Sequence, residues 1–156
     1  MEQVFNDRKG NKVIKPKDKE VFQRISAYGI AIDMDNILLV KPTWKNSLDL
    51  PGGGIEKESI LEGLKREFLE ETGFHIKNLD EKPIKIKYSL FYADDLDTFF
   101  NSEMHFFRVK IISEQKTSLI NKKEIKICSW HPFNKINDHE INPAHFEAIR
   151  EAIKKI

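Results

Sequence analysis

Apolar positions along the chain change their spacing several times, and each change marks an element. Val4-Phe5 suggests a short strand; the stretch from Arg8 to Glu20, with six lysines and arginines plus Gly10 and Pro16, then reads as turn and linker. Ile25 to Ile32 and Ile37 to Val40 are short apolar runs around Asp33-Met34-Asp35-Asn36, which predicts a hairpin with its second strand buried on both faces. Pro42 to Glu58 keeps no period and holds Pro51-Gly52-Gly53-Gly54, so it reads as a loop. Ser59 to Thr72 follows a helical spacing, with Ser59 and Glu62 as a capping box and Gly73 as the stop. Beyond Pro83, strands are expected at Ile84 to Tyr92, Phe99 to Ile112 and Lys126 to Trp130. Asn142 and Pro143 open a last helix, with Phe146, Ile149, Ile153 and Ile156 along one side. Strands mixed with two helices predict an α+β or α/β/α sandwich, a mixed sheet flanked by helices.

A chain of 156 residues has room for one domain with its own core, and the reading is a single domain over 1–156, with 1–22 as N-terminal strand and linker. Its 26 basic and 25 acidic side chains leave a net charge of +1. No overall field therefore draws it to a polyanion or an acidic membrane, and stable nucleic-acid binding is not expected. No run is apolar enough for a signal peptide or a membrane span, so a cytoplasmic, membrane-free setting is expected. Cys128 has no partner for an internal disulfide and sits in an alternating run as a strand or core residue.

Candidate chemistry concentrates in residues 52–74. Each helical residue advances about 100°, which places Glu71 roughly 40° to one side of Glu67 and Glu70 roughly 60° to the other. Three carboxylates thus share a narrow face, while Leu61, Leu64 and Phe68 fall on an arc that can bury against a sheet. Gly63 leaves space on the acidic side, one turn earlier. Such a face is either solvated and paired with Lys65 and Arg66, or it holds a cation. Hard oxygen ligands suit Mg²⁺ or Mn²⁺. The glycines ahead of the helix allow backbone to approach a phosphate or an ion closely, which favours the second reading.

The segment resembles the Nudix box, G-x5-E-x7-R-E-U-x-E-E-x-G-U with U a bulky apolar residue. Gly52, Glu58, Arg66, Glu67, Phe68, Glu70, Glu71, Gly73 and Phe74 occupy every specified position. It departs from the common GG-x-x-E-x-G-E opening, because Gly53-Gly54-Ile55-Glu56-Lys57-Glu58 lacks the glycine before the last glutamate. The resemblance implies a Mg²⁺-dependent hydrolase of a nucleoside diphosphate linked to another group, with Mn²⁺ as an alternative ion. It implies Glu67, Glu70, Glu71 and the Gly52 carbonyl as metal ligands, Arg66 as orienter of a carboxylate, and Glu58 as a brace of loop and helix. MutT-like members carry a loop glutamate ahead of a tryptophan near the last strand, a spacing repeated by Glu124 and Trp130. That likeness implies Glu124 as a further ligand or general base, with Glu103 next. The implied fold is a mixed sheet between helices.

Signals linked to NADH, ADP-ribose and coenzyme A substrates in the family are missing around this box. Tyr92, 18 positions beyond Phe74, stands near where dinucleoside polyphosphate hydrolases place a tyrosine. By elimination the expected substrate is a (deoxy)nucleoside triphosphate, cut to monophosphate and pyrophosphate. A dinucleoside polyphosphate, a nucleotide sugar, or a non-catalytic nucleotide-sensing domain are the alternatives. Gly52, Gly53, Gly54, Lys41 and Tyr92 are the candidate substrate contacts, Lys45 a further phosphate contact, and Phe91, Tyr92, Phe106 and Trp44 the candidates for stacking on a base. His105 reads as a structural histidine. A monomer or homodimer is expected.

Overall fold

In the computed structural model, residues 2–115 and 125–156 are described. Their strands are β1 (Val4–Asn6), β2 (Lys12–Ile14), β3 (Val21–Asp33), β4 (Asn36–Pro42), β5 (Gly52–Gly54), β6 (Phe74–Asn78), β7 (Lys85–Ala93), β8 (Thr98–Glu114) and β9 (Ile125–Pro132). Two α-helices, α1 (Ile60–Thr72) and α2 (Pro143–Ile153), pack on them. The strands form one mixed sheet in the order β2-β1-β7-β8-β3-β4-β9, with β5 added to β3 and β6 to β8. The centre is the long parallel pair β3–β8, in register from Val21 with Phe99 to Ala31 with Val109.

Alternation along the strands divides the core into two. On one face Ala27, Ala31, Leu38, Phe107 and Val109 meet Leu64 and Phe68 of α1. On the other, Ile30, Ile37, Leu39 and Phe106 meet Ala148, Ile149 and Ala152 of α2. The sheet therefore lies between the helices, the expected α/β/α sandwich. Helix α1 comes close because Gly29 sits beneath it: a Cβ there would stand 2.8 Å from Cε2 of Phe68. Helix ends match the sequence signals. Ser59 accepts from the N–H of Glu62 at 3.3 Å, Gly73 adopts φ 78°, and Asn142 accepts from the N–H of Ala144 at 3.0 Å.

Two stretches differ from the sequence reading. The span read as linker contains β2, because Val13 and Ile14 find partners in Phe5 and Val4. The glycine loop contains β5, whose backbone pairs with Ser26, Ala27 and Tyr28 of β3. Side-chain patterning cannot announce a strand made of three glycines.

Candidate active site

Helix α1 presents its acidic side to β5. Glu71 accepts from the N–H of Gly52 at 2.8 Å. Glu67 lies over Gly53, where a Cβ would stand 2.7 Å from its Oε2. Gly52 is equally constrained: at φ 149° an added Cβ would meet the carbonyl oxygen of Ala27. Bare backbone is thus required where helix carboxylates and strand meet.

Arg66 organises the neighbouring acids. Its Nη2 donates to Glu58 Oε1 at 2.6 Å and its Nε to the same oxygen at 2.8 Å. Its Nη1 donates to Glu67 at 3.0 Å and reaches Glu70 at 3.5 Å, while Nη2 also donates to the Gly54 carbonyl. Hydrogen bonds from its own backbone N–H and from Arg66 hold the Glu58 carboxyl below its usual range. Bonding to Glu58 and Glu67 pushes the Arg66 guanidinium further up, so it keeps its charge. The space left by Gly63 is filled by Ile55 and Glu58.

These groups open on a cleft of about 450 Å³. Arg24, Tyr28, Trp44, Asp49 and Glu56 line it together with Gly52, Gly53, Gly54, Glu67 and Glu71, and Val40, Pro42, Leu50, Ile55 and Ile125 complete the lining. Of the residues singled out in the sequence, Gly52, Gly53, Gly54, Glu67, Glu71 and Trp44 line it. Glu70 does not line it and stands 3.5 Å from Arg66. Lys41 does not line it, since Val40 and Pro42 on either side do and strand residues alternate. Lys45 is held by Asp49 at 2.7 Å beside the Trp44 ring. Tyr92 is elsewhere, its hydroxyl donating to Asp97 and its ring on Phe99. Phe106 is buried under α2, and Glu103 bonds His105 at 2.7 Å on β8, outside the cleft lining. Glu124 lies outside the described residues.

Sequence reasoning missed Arg24, Asp49 and His145. Burial raises the Asp49 carboxyl above the usual range, against the pull of Lys45. His145 of α2 is 2% exposed, packs against Tyr28 and Phe106, and accepts the N–H of Leu50 on Nδ1 at 2.9 Å. That bond ties the segment leading into β5 to the second helix, and nothing in the helical spacing of His145 signals it. Burial drops its pKa to about 3, so the ring stays neutral in the native protein. The unfolded chain protonates near pH 6.5 while the native chain does not, so stability is lost as pH falls below that point. We expect a slope of about 1.4 kcal/mol per pH unit between pH 6 and 4 from this group. Denaturant unfolding of His145→Asn, whose amide oxygen can accept the same N–H, should lack that component; an unchanged slope would place it elsewhere. Burial and the nearby Glu71 raise the Cys128 thiol to about 11, so it stays uncharged.

The donor set fits a hard divalent ion. Among the described residues that line the cleft, Asp49, Glu56, Glu67 and Glu71 carry carboxylates and Arg24 carries a cation, and carboxylate oxygen beside bare glycine backbone suits Mg²⁺ or Mn²⁺. Among the described residues no three acidic, histidine or cysteine side chains close into a ready cluster; Gly52 holds Glu71 and Arg66 holds Glu67 instead.

Solved structures share the architecture. A Nudix hydrolase from Nitrosomonas europaea superposes with a TM-score of 0.71 at 20% identity, over 85% of this chain and 90% of that one. A UDP-X diphosphatase gives 0.62 at 19% identity over 90% and 68%, and a MutT Nudix hydrolase from Burkholderia pseudomallei gives 0.61 at 16% over 83% and 97%. At such identities the likeness concerns the fold. No curated protein matches the sequence significantly. The NUDIX domain profile matches residues 23–152, and the chain belongs to the Nudix family of hydrolases. Nudix hydrolases generally use divalent metal ions and act on small nucleotide substrates. No helix among the described residues is long and apolar enough to cross a membrane.

Proposed function

We propose that this chain is a Mg²⁺-dependent pyrophosphohydrolase that cleaves a phosphoanhydride bond of a nucleoside diphosphate linked to another group. A (deoxy)nucleoside triphosphate is the preferred substrate, with monophosphate and pyrophosphate as products. The observation that carries this reading is the meeting of Glu67 and Glu71 with the glycines of β5 in one cleft.

Glu67, Glu70 and Glu71, with the Gly52 carbonyl, would hold the ion. A divalent ion there supplies polarisation of phosphoryl oxygens and neutralises charge developing on the leaving phosphate. Arg66 orients Glu67 through its 3.0 Å bond, and the Gly52 N–H orients Glu71 through its 2.8 Å bond. Gly53 and Gly54 keep side chains away from the phosphate path. Trp44, 57% exposed and lining the cleft, offers a flat surface on which a base can stack.

The test is a phosphate-release screen with Mg²⁺, with coupling enzymes that distinguish pyrophosphate from monophosphate products. Nucleoside triphosphates, ADP-ribose, dinucleoside polyphosphates and nucleotide sugars form the panel. We expect turnover of a triphosphate that disappears with chelator. Activity confined to a linked diphosphate, such as the UDP-X that names one structural relative, would overturn the substrate choice and keep the chemistry. A folded, metal-loaded protein silent on every compound would overturn the catalytic reading.

A further inference from the structure

We propose that Arg24 is a substrate-binding residue that holds the phosphate on the far side of the scissile bond from the nucleoside. The proposal rests on the phosphoanhydride reading above and adds the polarity with which the substrate lies in the cleft.

Arg24 is the one cationic side chain among the described residues that line the cleft. Its guanidinium lies against the backbone of Gly54, with Nη2 and Nε 3.6 and 3.8 Å from where a Cβ would stand. Arg8, Arg66 and Arg108 are each engaged by carboxylates at 2.6–3.0 Å. Around Arg24, no carboxylate among the described residues comes within ion-pair distance, although Glu56 shares the cleft. A planar fork of N–H donors remains available for an incoming anion, the geometry that binds phosphate in a bidentate way.

Its place on β3 gives it a role distinct from the metal carboxylates. Ser26 and Tyr28 pair with Gly54 and Gly52, so Arg24 stands just beyond one end of the glycine strand and Tyr28 at the other. Residues i and i+4 share a face of a strand, and four residues span roughly 13 Å. Leu50 bonds His145, whose ring packs on Tyr28, and Trp44 lies beside Lys45, which is held by Asp49 next to Leu50, while Glu67 and Glu71 lie over the glycines between. A nucleoside on the Trp44 side therefore carries its phosphate chain past Glu67 and Glu71 towards Arg24. The charge at that end selects a distal group that is itself a phosphate over an uncharged sugar.

The two products separate the ends of the cleft. Binding of inorganic pyrophosphate and of nucleoside monophosphate is measured by calorimetry in Mg²⁺ buffer, for the wild-type protein and for Arg24→Gln and Arg24→Lys. Arg24 is exposed, so both variants should melt like the wild type. We expect Arg24→Gln to weaken pyrophosphate binding by about 10- to 100-fold, the loss of charge-assisted bonds to one anion. Monophosphate affinity should stay nearly constant, and Arg24→Lys should recover part of the loss. Unchanged pyrophosphate affinity, or equal weakening of both products, would overturn the assignment. Pyrophosphate binding that depends on Arg24 in a protein that hydrolyses nothing in the panel would support the site while overturning the catalytic reading.

Discussion

Replacing Glu71 by glutamine is expected to lower Mg²⁺-dependent turnover by about three orders of magnitude, or about 4 kcal/mol in barrier height. The substitution separates charge from shape. Glu71 accepts the N–H of Gly52 at 2.8 Å, and a glutamine Oε1 can accept the same bond, so the junction of α1 and β5 survives. What disappears is one negative charge from a cleft faced by four carboxylates. The measurement pairs kcat at saturating Mg²⁺ with a thermal melt. Normal turnover in a folded variant would remove Glu71 from the metal site.

The largest expected effect on stability comes from Phe68→Ala. Phe68 is fully buried between α1 and β3, with its ring over Gly29 and among Ala31, Leu64 and Val109. Truncation removes a buried ring and leaves a cavity above a glycine that cannot fill it, at a cost of about 3–5 kcal/mol. That is a large part of a typical total stability of about 5–15 kcal/mol. The thermal midpoint should drop by roughly 10 °C. A fall of only about one degree would mean that α1 is not anchored through this ring. Because the same helix carries Glu67 and Glu71, activity should be lost on warming together with the fold.

Local chemistry made much of this molecule legible in its sequence. Ser59, Gly73 and Asn142 mark helix ends through bonds made within a few residues, and each is found where its residue type predicts. The runs after Pro83 mark β7 and β8, and the doubly buried β4 is a continuous apolar run whose alternate residues enter two cores. The spacing of Arg66, Glu67, Glu70 and Glu71 was readable because a helix converts sequence spacing into a shared face. What could not be read depends on distant pairing. The parallel register of β3 with β8 joins Val21 to Phe99, and no periodicity encodes a partner so far away. Arg24 acquires its place only through the pairing of β3 with β5. Asp49 and His145 belong to segments separated by most of the chain and acquire their roles only where these meet.

The bond from Leu50 to His145 also bears on the order in which this protein can become competent during synthesis. The two residues are 95 positions apart, and ribosomes deliver chains from the N-terminus. The entire box is therefore released well before the histidine that anchors the segment leading into its first strand. A nascent chain can form α1 and its caps early, yet the backbone leading into β5 obtains its last fixed partner only when α2 emerges and docks. Competence of the box therefore waits on a helix synthesised about 70 residues after it.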